Sequence, residues 1–277
     1  MAKVSIGPHI KKLRKDRRLT QTDLAKVLGY YDKSVISHIE NGDADMTYEK
    51  ILLLIKTFKL DANELFSKIY SGNAKNDKVL IYIHGQNGKA DEVLDYCPLG
   101  SYDVKGLDYF DGNPWEVGPI IKNKFEKLTK NYKEVIVVAN SIGAFYAYEY
   151  LSGYDKIKRA FFISPIVNMS QVVLDLIMNN DINMEDLKEN KFITLDDNTV
   201  LSYDFFMHVS EDYQDSWTVK TDVLYGSNDD FVYIEHIADF VISHEANLTI
   251  KNGSEHYFNT EEEKKYIRDW ISKSLDL

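Results

Sequence analysis

Val135–Ala147 read Val-Ile-Val-Val-Ala-Asn-Ser-Ile-Gly-Ala-Phe-Tyr-Ala, and this stretch decides how the larger part of the chain folds. Four β-branched residues in succession open it, and they predict a strand that is buried on both faces. The residues from Ala144 onward have helical composition instead. Small residues stand two positions before and two positions after Ser141, as a sharp turn from a strand into a helix requires. The stretch therefore predicts a strand, a turn at Ser141 and a helix.

This pattern resembles the nucleophile elbow of the α/β-hydrolases, Gly-x-Ser-x-Gly, with Ala139 in the place of the first glycine. Alanine is a mild departure, because the position needs a small residue more than a positive φ. The resemblance makes Ser141 the nucleophile and the backbone N–H of Ile142 an oxyanion donor. An ordinary serine in a strand-to-helix turn is the alternative for this stretch alone.

A glycine-containing loop precedes the elbow in the sequence. The apolar strand Val79–Ile83 runs into His84-Gly85-Gln86-Asn87-Gly88. In α/β-hydrolases a His-Gly pair at this place shapes the loop opposite the nucleophile, so the resemblance makes the backbone N–H of Gln86 the second oxyanion donor. A plain glycine turn explains the glycines, but not their pairing with an elbow 56 residues later.

Two later loops carry an acid and a base. A strand that ends at Tyr225 leads into Gly226-Ser227-Asn228-Asp229-Asp230. The family has its acid at this place, which points to Asp229, with Asp230 as the alternative because adjacent aspartates are hard to separate by sequence. His256 follows the last short strand, where the family has its base. The order Ser141, Asp229, His256 is the order of the α/β-hydrolases.

Strand and helix patterns alternate through residues 78–277, which predicts a mostly parallel sheet covered by helices on both faces. With the resemblance, this region becomes an α/β-hydrolase domain and a serine hydrolase of carboxylesterase type. His256 would take the proton of Ser141, and Asp229 would hold the imidazole. The chemistry needs no cofactor and no metal.

Residues 166–221 lie between the apolar run Ala160–Ile163 and the strand that ends at Tyr225, and they are predicted to form a lid or pocket insertion. Their patterns indicate helices over 172–178 and 184–190 and a hairpin over 194–203 with its turn at Asp197-Asn198. The insertion favours an apolar acyl group and a small ester, on the strength of Met178, Phe205, Phe206, Met207 and Trp217.

Residues 1–70 differ from the remainder in charge and in pattern. They hold 13 basic and 9 acidic residues, whereas the remainder holds 20 basic and 35 acidic ones. Amphipathic spacing and capping residues predict five short helices, which include Gln21–Leu28 behind Thr20 and Lys33–Glu40. These residues therefore predict a small all-α domain, with 71–77 as a polar linker.

The stretch Leu19-Thr20-Gln21-x-x-Leu24-Ala25-x-x-Leu28-Gly29, followed by Ser34–Gly42, resembles the lambda-repressor-like (Cro/cI, XRE-type) helix-turn-helix. The resemblance implies a recognition helix over 33–40 and a structural ion pair between Arg14 and Glu40. It also implies base-edge contacts from Lys33, Ser34, Ser37 and His38. Gln21 and Asn41 would contact phosphates, helped by the positive ends of their helices.

Two features leave an alternative open for this domain. The turn Gly29–Asp32 is one residue longer than the commonest family form, and Asp32 adds a negative charge near the groove. A helical protein-interaction module is therefore the alternative to DNA binding. Since such domains read paired half-sites, we expect a homodimer on double-stranded DNA.

The sequence thus supports two main hypotheses. The first is a DNA-binding protein with an active esterase domain, and the second is a transcriptional regulator whose hydrolase fold senses a ligand with little or no turnover. An adaptor with neither activity is a third. The absence of a long apolar segment, an N-terminal signal region and any cysteine besides Cys97 leads us to expect a cytoplasmic protein without disulfides or membrane spans.

Overall fold

The computed structural model describes residues 6–63, 65–66, 76–196, 199–210 and 216–277. The chain divides into two compact units, one of residues 1–77 with 99–104 and 277, the other of residues 78–98 with 105–276. Most of the predicted linker, 71–75, lies outside the described residues. Among the helices that the structure describes, none has the length and hydrophobicity needed to cross a membrane.

The first unit is helical, as predicted. Its helices are α1 (Gly7–Asp16), α2 (Gln21–Val27), α3 (Lys33–Asn41) and α4 (Tyr48–Phe58). Residues 62–63 and 65–66 are also helical, and the rest of the predicted fifth helix lies outside the described residues. The apolar faces of the helices meet in a core of Ile10, Leu24, Ala25, Leu28, Ile36, Ile39, Met46 and Leu54.

Capping residues set the limits of these helices. The Thr20 hydroxyl accepts the N–H of Asp23 at 3.1 Å, and the Asp23 carboxylate accepts the N–H of Thr20 at 2.9 Å, a capping box that begins α2. Gly42, with φ 81°, ends α3 in the left-handed conformation. The predicted cap at Thr20 is therefore confirmed.

The second part of the chain contains a six-stranded sheet. Its strands are β1 (Lys78–Ile83), β2 (Asp103–Leu107), β3 (Glu134–Asn140), β4 (Ile157–Ile163), β7 (Thr221–Gly226) and β8 (Asn247–Lys251). They lie in the order β2-β1-β3-β4-β7-β8. The pairs β1 with β3, β3 with β4, β4 with β7 and β7 with β8 are all parallel, and Ile83 of β1 has Ala139 of β3 as its Cα partner.

Helices follow the strands and cover the sheet. They are α5 (Val93–Tyr96, after a 3₁₀ turn Ala90–Glu92), α6 (Pro114–Thr129), α7 (Ile142–Leu151), α8 (Met169–Asn179), α9 (Met184–Asn190), α10 (Tyr203–Ser210), α11 (Ile234–Ser243) and α12 (Glu261–Ser274). Residues Val135 to Ala139 of β3 are all at most 2% exposed, which is why this strand reads as an unbroken apolar run.

The insertion 166–221 has the predicted elements. It contains α8, α9 and an antiparallel hairpin of β5 (Phe192–Thr194) and β6 (Val200–Ser202), followed by α10. The hairpin closes with the N–H of Leu195 on the carbonyl of Thr199, and its predicted turn at 197–198 lies outside the described residues.

Two elements differ from the sequence prediction. Strand β2 is not predicted, because Lys105 and Gly106 interrupt its apolar pattern. A Cβ at Gly106 would lie 1.7 Å from the carbonyl oxygen of Ala90, so only glycine allows the 3₁₀ turn to pack there. Helix α6 begins at Pro114, although its sequence predicts a helix only from Ile120 onward, since Pro119 inside it conceals the helical pattern.

Candidate active site

Ser141 lies at the junction of β3 and α7, in a conformation that few residues adopt. Its φ is 52° and its ψ is −121°, outside the regions that non-glycine residues normally occupy. Such strain persists only where the surrounding structure imposes it, and it concentrates at functional sites. Here the strain turns the chain sharply from strand to helix and leaves Ser141 on the wall of a cavity.

The small residues around Ser141 have a direct steric reason. A Cβ on Gly143 would lie 2.4 Å from the carbonyl oxygen of Ile83, and a Cβ on Gly85 would lie 3.3 Å from the Cβ of Ser141. Glycine at position 143 therefore lets α7 pack against the end of β1. Ala139 is fully buried between β1 and β4, where its methyl group is accommodated.

The structure joins the three predicted catalytic side chains by hydrogen bonds. The Oγ of Ser141 is 2.9 Å from Nε2 of His256, and Nδ1 of His256 is 2.8 Å from Oδ2 of Asp229. Oδ1 of Asp229 accepts the backbone N–H groups of Phe231 at 3.0 Å and Val232 at 2.9 Å. Both carboxylate oxygens therefore have donors, and they fix the acid toward the imidazole. Asp230 does not take part in this arrangement.

Burial isolates the pair of His256 and Asp229 from water. His256 is 3% exposed and Asp229 is 9% exposed. The ring of Phe231 packs edge-on against the imidazole, with 5.1 Å between centroids. Low exposure strengthens the hydrogen bond between the two side chains and favours one orientation of the imidazole.

The two predicted oxyanion donors line the same cavity as Ser141. Ile142 is the first residue of α7, so its N–H lies at the positive end of the helix dipole. Gln86 lies in a tight turn closed by the N–H of Gly88 on the carbonyl of Gly85 at 3.1 Å. Within the described part of the chain, neither N–H is hydrogen-bonded to another protein group.

His84 supports the loop that carries Gln86. Its buried ring stacks on Tyr109 with 3.9 Å between centroids, and its Nδ1 is 2.8 Å from the carbonyl oxygen of Gly85. The Tyr109 hydroxyl donates to the carbonyl of His84 itself. His84 and Tyr109 together thus hold the loop that carries Gln86, and His84 is the histidine that the sequence placed in this loop.

The cavity beside Ser141 has a volume of about 650 Å³ and two chemically different walls. One wall comes from the insertion and is apolar, with Ile166, Met169, Val172, Val173, Leu176 and Phe205. The other is polar, with Gln86, Asn87, Glu92, Asp111, Asn113 and Asn140. Such a cavity can receive a small molecule with one apolar and one polar part.

The apolar residues singled out in the sequence are mostly elsewhere. Of the five, Phe205 lines the cavity, which confirms that one expectation. Trp217 is buried in the core beside Phe162 and donates its indole N–H to Thr221 at 2.9 Å. Met178 is 70% exposed, Met207 is 43% exposed, and Phe206 packs against the core. These four residues do not line the cavity, so among the five only Phe205 bears on the apolar acyl group, because chain proximity does not set side-chain direction.

In the helical unit, α3 presents the predicted base-contacting side chains on its outer face. Lys33, Ser34 and His38 are exposed and Ser37 is half-buried, whereas Ile36 and Ile39 face the core. Asp32 caps α3 by accepting the N–H of Ser34 at 2.6 Å. Its carboxylate therefore has a structural role at the start of the helix.

The ion pair between Arg14 and Glu40 is present, as predicted. Nε of Arg14 lies 2.5 Å from Oε1 of Glu40, and its Nη2 lies 3.0 Å from Oε2. Nε2 of Gln21 also donates to Oε2 of Glu40 at 3.0 Å, a contact that the sequence did not indicate. Burial raises the pKa of Glu40, but the hydrogen bonds from Arg14 and Gln21 outweigh it, so the pKa lies below its ordinary value of 4.5.

The two predicted phosphate-contacting residues differ in their surroundings. Gln21 is the first residue of α2, next to the positive end of that helix, although its amide already binds Glu40. Asn41 is the last residue of α3, at the negative end of the dipole. The expected help from a helix N-terminus is therefore wrong for Asn41, whose side chain is exposed.

Comparison with known proteins agrees with the two folds. Residues 10–65 match the family model described as helix-turn-helix. The chain resembles the solved structure of Est1E from Butyrivibrio proteoclasticus, with a TM-score of 0.57, 14% identity, 75% of this chain covered and 92% of that one. A putative hydrolase from Agrobacterium vitis S4 gives a TM-score of 0.56 at 14% identity, over 71% of this chain and 87% of that one. No curated protein sequence matches the chain.

At such low identity the structural likeness concerns the fold alone. The prediction of a helix-turn-helix domain followed by an α/β-hydrolase fold is confirmed by these matches and by the sheet topology.

Proposed function

We propose that this protein binds DNA through its helix-turn-helix domain and hydrolyses small carboxylic esters in its larger domain. The observation that carries the hydrolase proposal is the hydrogen-bonded series of Ser141, His256 and Asp229 beside the cavity. Strain at Ser141 supports the same reading, because its φ of 52° combined with a ψ of −121° lies outside the regions that non-glycine residues normally occupy, and such strain concentrates at functional sites.

The geometry supports an acyl-enzyme mechanism. Nε2 of His256 takes the proton of Ser141 as Oγ attacks the ester carbonyl, while Asp229 holds the Nδ1 proton and stabilises the imidazolium. The N–H groups of Gln86 and Ile142 stabilise the negative oxygen of the tetrahedral intermediate. His256 then protonates the departing alcohol. Water, deprotonated by His256, cleaves the acyl-Ser141 ester and restores the enzyme.

The cavity volume and the apolar wall support a short acyl group. About 650 Å³ lies within the range of small-molecule sites. One structure in the same fold comparison, at 13% identity, contains Est1E with ferulic acid bound. A first substrate set should therefore include p-nitrophenyl butyrate and methyl ferulate.

Labelling with a fluorophosphonate tests the proposal most directly. We expect the native protein to gain the mass of one probe, Ser141→Ala to gain none, and the exposed-serine control Ser243→Ala to label at the native rate. Absence of labelling in a folded native protein, or labelling that persists in Ser141→Ala, would contradict the proposed nucleophile.

The exposed face of α3 supports the DNA-binding part of the proposal. In this arrangement α3 lies in the major groove, where Lys33, Ser34, Ser37 and His38 reach base edges, and Gln21 and Asn41 lie near the backbone. Two copies would read paired half-sites. We expect Lys33→Ala with Ser37→Ala to abolish selective gel shifts of genomic fragments, whereas Lys122→Ala, on α6, leaves them unchanged. Equal affinity of all three proteins would refute the assigned recognition helix.

The helix-turn-helix match over residues 10–65 also favours a second candidate, a regulator in which the hydrolase fold senses a ligand with little turnover. The two candidates differ in what Ser141→Ala does to ligand-dependent DNA affinity. A sensor keeps its response to the ligand, whereas a response that depends on hydrolysis is lost. The expected homodimer and cytoplasmic location stay predictions.

A further inference from the structure

The polar wall of the cavity is rich in hydrogen-bond acceptors and lacks basic side chains. Glu92 and Asp111 both line it, and no lysine or arginine is among the described residues that do. Neither carboxylate forms an ion pair with a basic side chain in the described part of the chain. Two negative charges therefore face the space beside Ser141 without a cationic partner.

Glu92 is held in place by the protein. Its Oε2 accepts the hydroxyl of Tyr82 at 3.1 Å, and its Oε1 accepts the N–H of Lys89 at 3.1 Å. Tyr82 is fully buried in β1, two residues before His84. A Cβ at Gly88 would lie 3.1 Å from Oε2, so glycine leaves room for the carboxylate. Glu92 is thus fixed by β1 and by the loop that carries Gln86.

Asp111 is fixed to the same loop from the other side. Its two carboxylate oxygens accept the N–H of Asn87 at 3.3 and 3.1 Å. Asn87 follows Gln86 directly and has a φ of 57°. The side chain of Asp111 is exposed, which places this second charge where solvent reaches the cavity.

Asn140 supplies an independent indication of a ligand. It lines the cavity, is only 9% exposed and immediately precedes Ser141. Its Oδ1 is buried without a hydrogen-bond partner in the described structure. A buried acceptor without a donor is unfavourable, and a donor on a bound molecule would satisfy it once the amide, which also contacts Tyr82, turns toward the cavity.

The nearby tyrosines add no charge to this wall. Burial, followed by the charge of Glu92, raises the pKa of Tyr82 and of Tyr96. Burial and the neighbouring Tyr150, followed by the charge of Asp111, raise the pKa of Tyr146. These phenols therefore stay uncharged, and the carboxylates are the charged groups of the wall.

We propose that Glu92, Asp111 and Asn140, here called the acceptor wall, bind a protonated amine of the substrate. The proposal rests on the proposed function and names its substrate class: small esters that combine an apolar part with an ammonium group. The apolar wall from the insertion receives the first part. An ammonium N–H satisfies Asn140 and provides the positive charge that the carboxylates lack.

A matched pair of esters tests this recognition. In 3-(dimethylamino)propyl butyrate a protonated nitrogen takes the place of the branching carbon of 4-methylpentyl butyrate, so the two differ chiefly in charge. We expect the cationic ester to have the higher kcat/KM near neutral pH. Glu92→Gln should lower the ratio of the two kcat/KM values about fivefold, as expected for one partly exposed ion pair. Asp111→Asn should lower it less.

Asp91→Asn is the matched control, because Asp91 is exposed on the same 3₁₀ turn and does not line the cavity. Its ratio should equal the native one. High salt should reduce the native ratio, and it should reduce that of Glu92→Gln less, since only charge recognition is screened and this variant retains Asp111 alone. A purely structural role of Glu92 would not produce this difference.

Binding to Ser141→Ala separates this proposal from the proposed function. Calorimetry should show tighter binding of the cationic ester than of the neutral one, whether or not the native protein turns either over. Equal affinity for the two esters would overturn the proposal that the acceptor wall binds an amine. The same conclusion would follow if Glu92→Gln and Asp111→Asn both had the native ratio of kcat/KM values. A native protein that neither labels nor hydrolyses the neutral ester would instead overturn the hydrolase proposal. Should Glu92→Gln fail to fold, the exposed Asp111→Asn carries the test.

Discussion

Gly143 is the position where one added methyl group should have the sharpest effect. A Cβ there would lie 2.4 Å from the carbonyl oxygen of Ile83 and 2.5 Å from that of His84, whereas real Cβ atoms essentially never approach within 3.0 Å. Helix α7 therefore has to move away from β1 by at least about 0.6 Å in Gly143→Ala. Crowding of a packed core costs about 1–3 kcal/mol.

The same movement separates the two proposed oxyanion donors, because Ile142 moves with α7 and Gln86 stays with the loop after β1. A misplacement on the order of 1 Å can lower a catalytic rate about 10²-fold. We expect urea unfolding to show that the free energy of unfolding falls by about 2 kcal/mol. The rate of ester hydrolysis should fall by up to about 10²-fold.

Gly100→Ala is the matched control, since a Cβ there meets no atom within 4 Å. Its stability should stay within about 0.5 kcal/mol of the native value. If Gly143→Ala equals Gly100→Ala in both stability and activity, the steric account of the elbow is incorrect.

Four other predictions rest on the hydrogen bonds. Asp229→Asn should reduce kcat about 10⁴-fold by favouring the wrong imidazole tautomer, whereas Asp230→Asn should retain near-native kcat; similar losses in both would contradict the assignment of the acid. Arg14→Ala should destabilise the helical unit by about 3 kcal/mol in chemical denaturation, because it leaves the buried carboxylate of Glu40 without its cationic partner and with only the Gln21 amide as a donor. Folding lowers the pKa of Glu40, so the ionised carboxylate stabilises the folded helical unit above about pH 4.5, and this stabilisation is lost as the pH falls through the folded pKa. The free energy of unfolding of Glu40→Gln should therefore change less with acid pH in the same assay. Thr20→Ala should lower stability by about 1 kcal/mol through loss of the α2 cap.

Local pattern was sufficient for the parts of the site that depend on the backbone. The apolar run before Ser141 and the small residues around it predicted the elbow, because strand burial and the close contact of α7 with β1 both act on neighbouring residues. The assignment of His256 rested on the resemblance to the α/β-hydrolases, which have their base in the loop after the last strand. The capping residues of the helical unit were readable for the same reason.

Other features depend on contacts between distant residues. The sequence left the choice between Asp229 and Asp230 open. In the structure the N–H groups of Phe231 and Val232 bind Oδ1 of Asp229, and its Oδ2 lies beside His256. Strand β2 forms because β1 offers an edge, although Lys105 and Gly106 weaken its own pattern. The contact of Gln21 with Glu40 spans two helices and leaves no local signal.

The backbone of Ser141 also bears on how this protein can evolve. A residue held at φ 52° lowers the stability of the whole domain by about 1 kcal/mol or more, and a glycine at the same position would relieve that strain. A lineage that used the domain only to sense a ligand would gain stability by losing the serine. Under the proposed function, Ser141 is thus a position where stability and hydrolysis conflict, so a stability screen of this domain would be expected to select against the proposed chemistry.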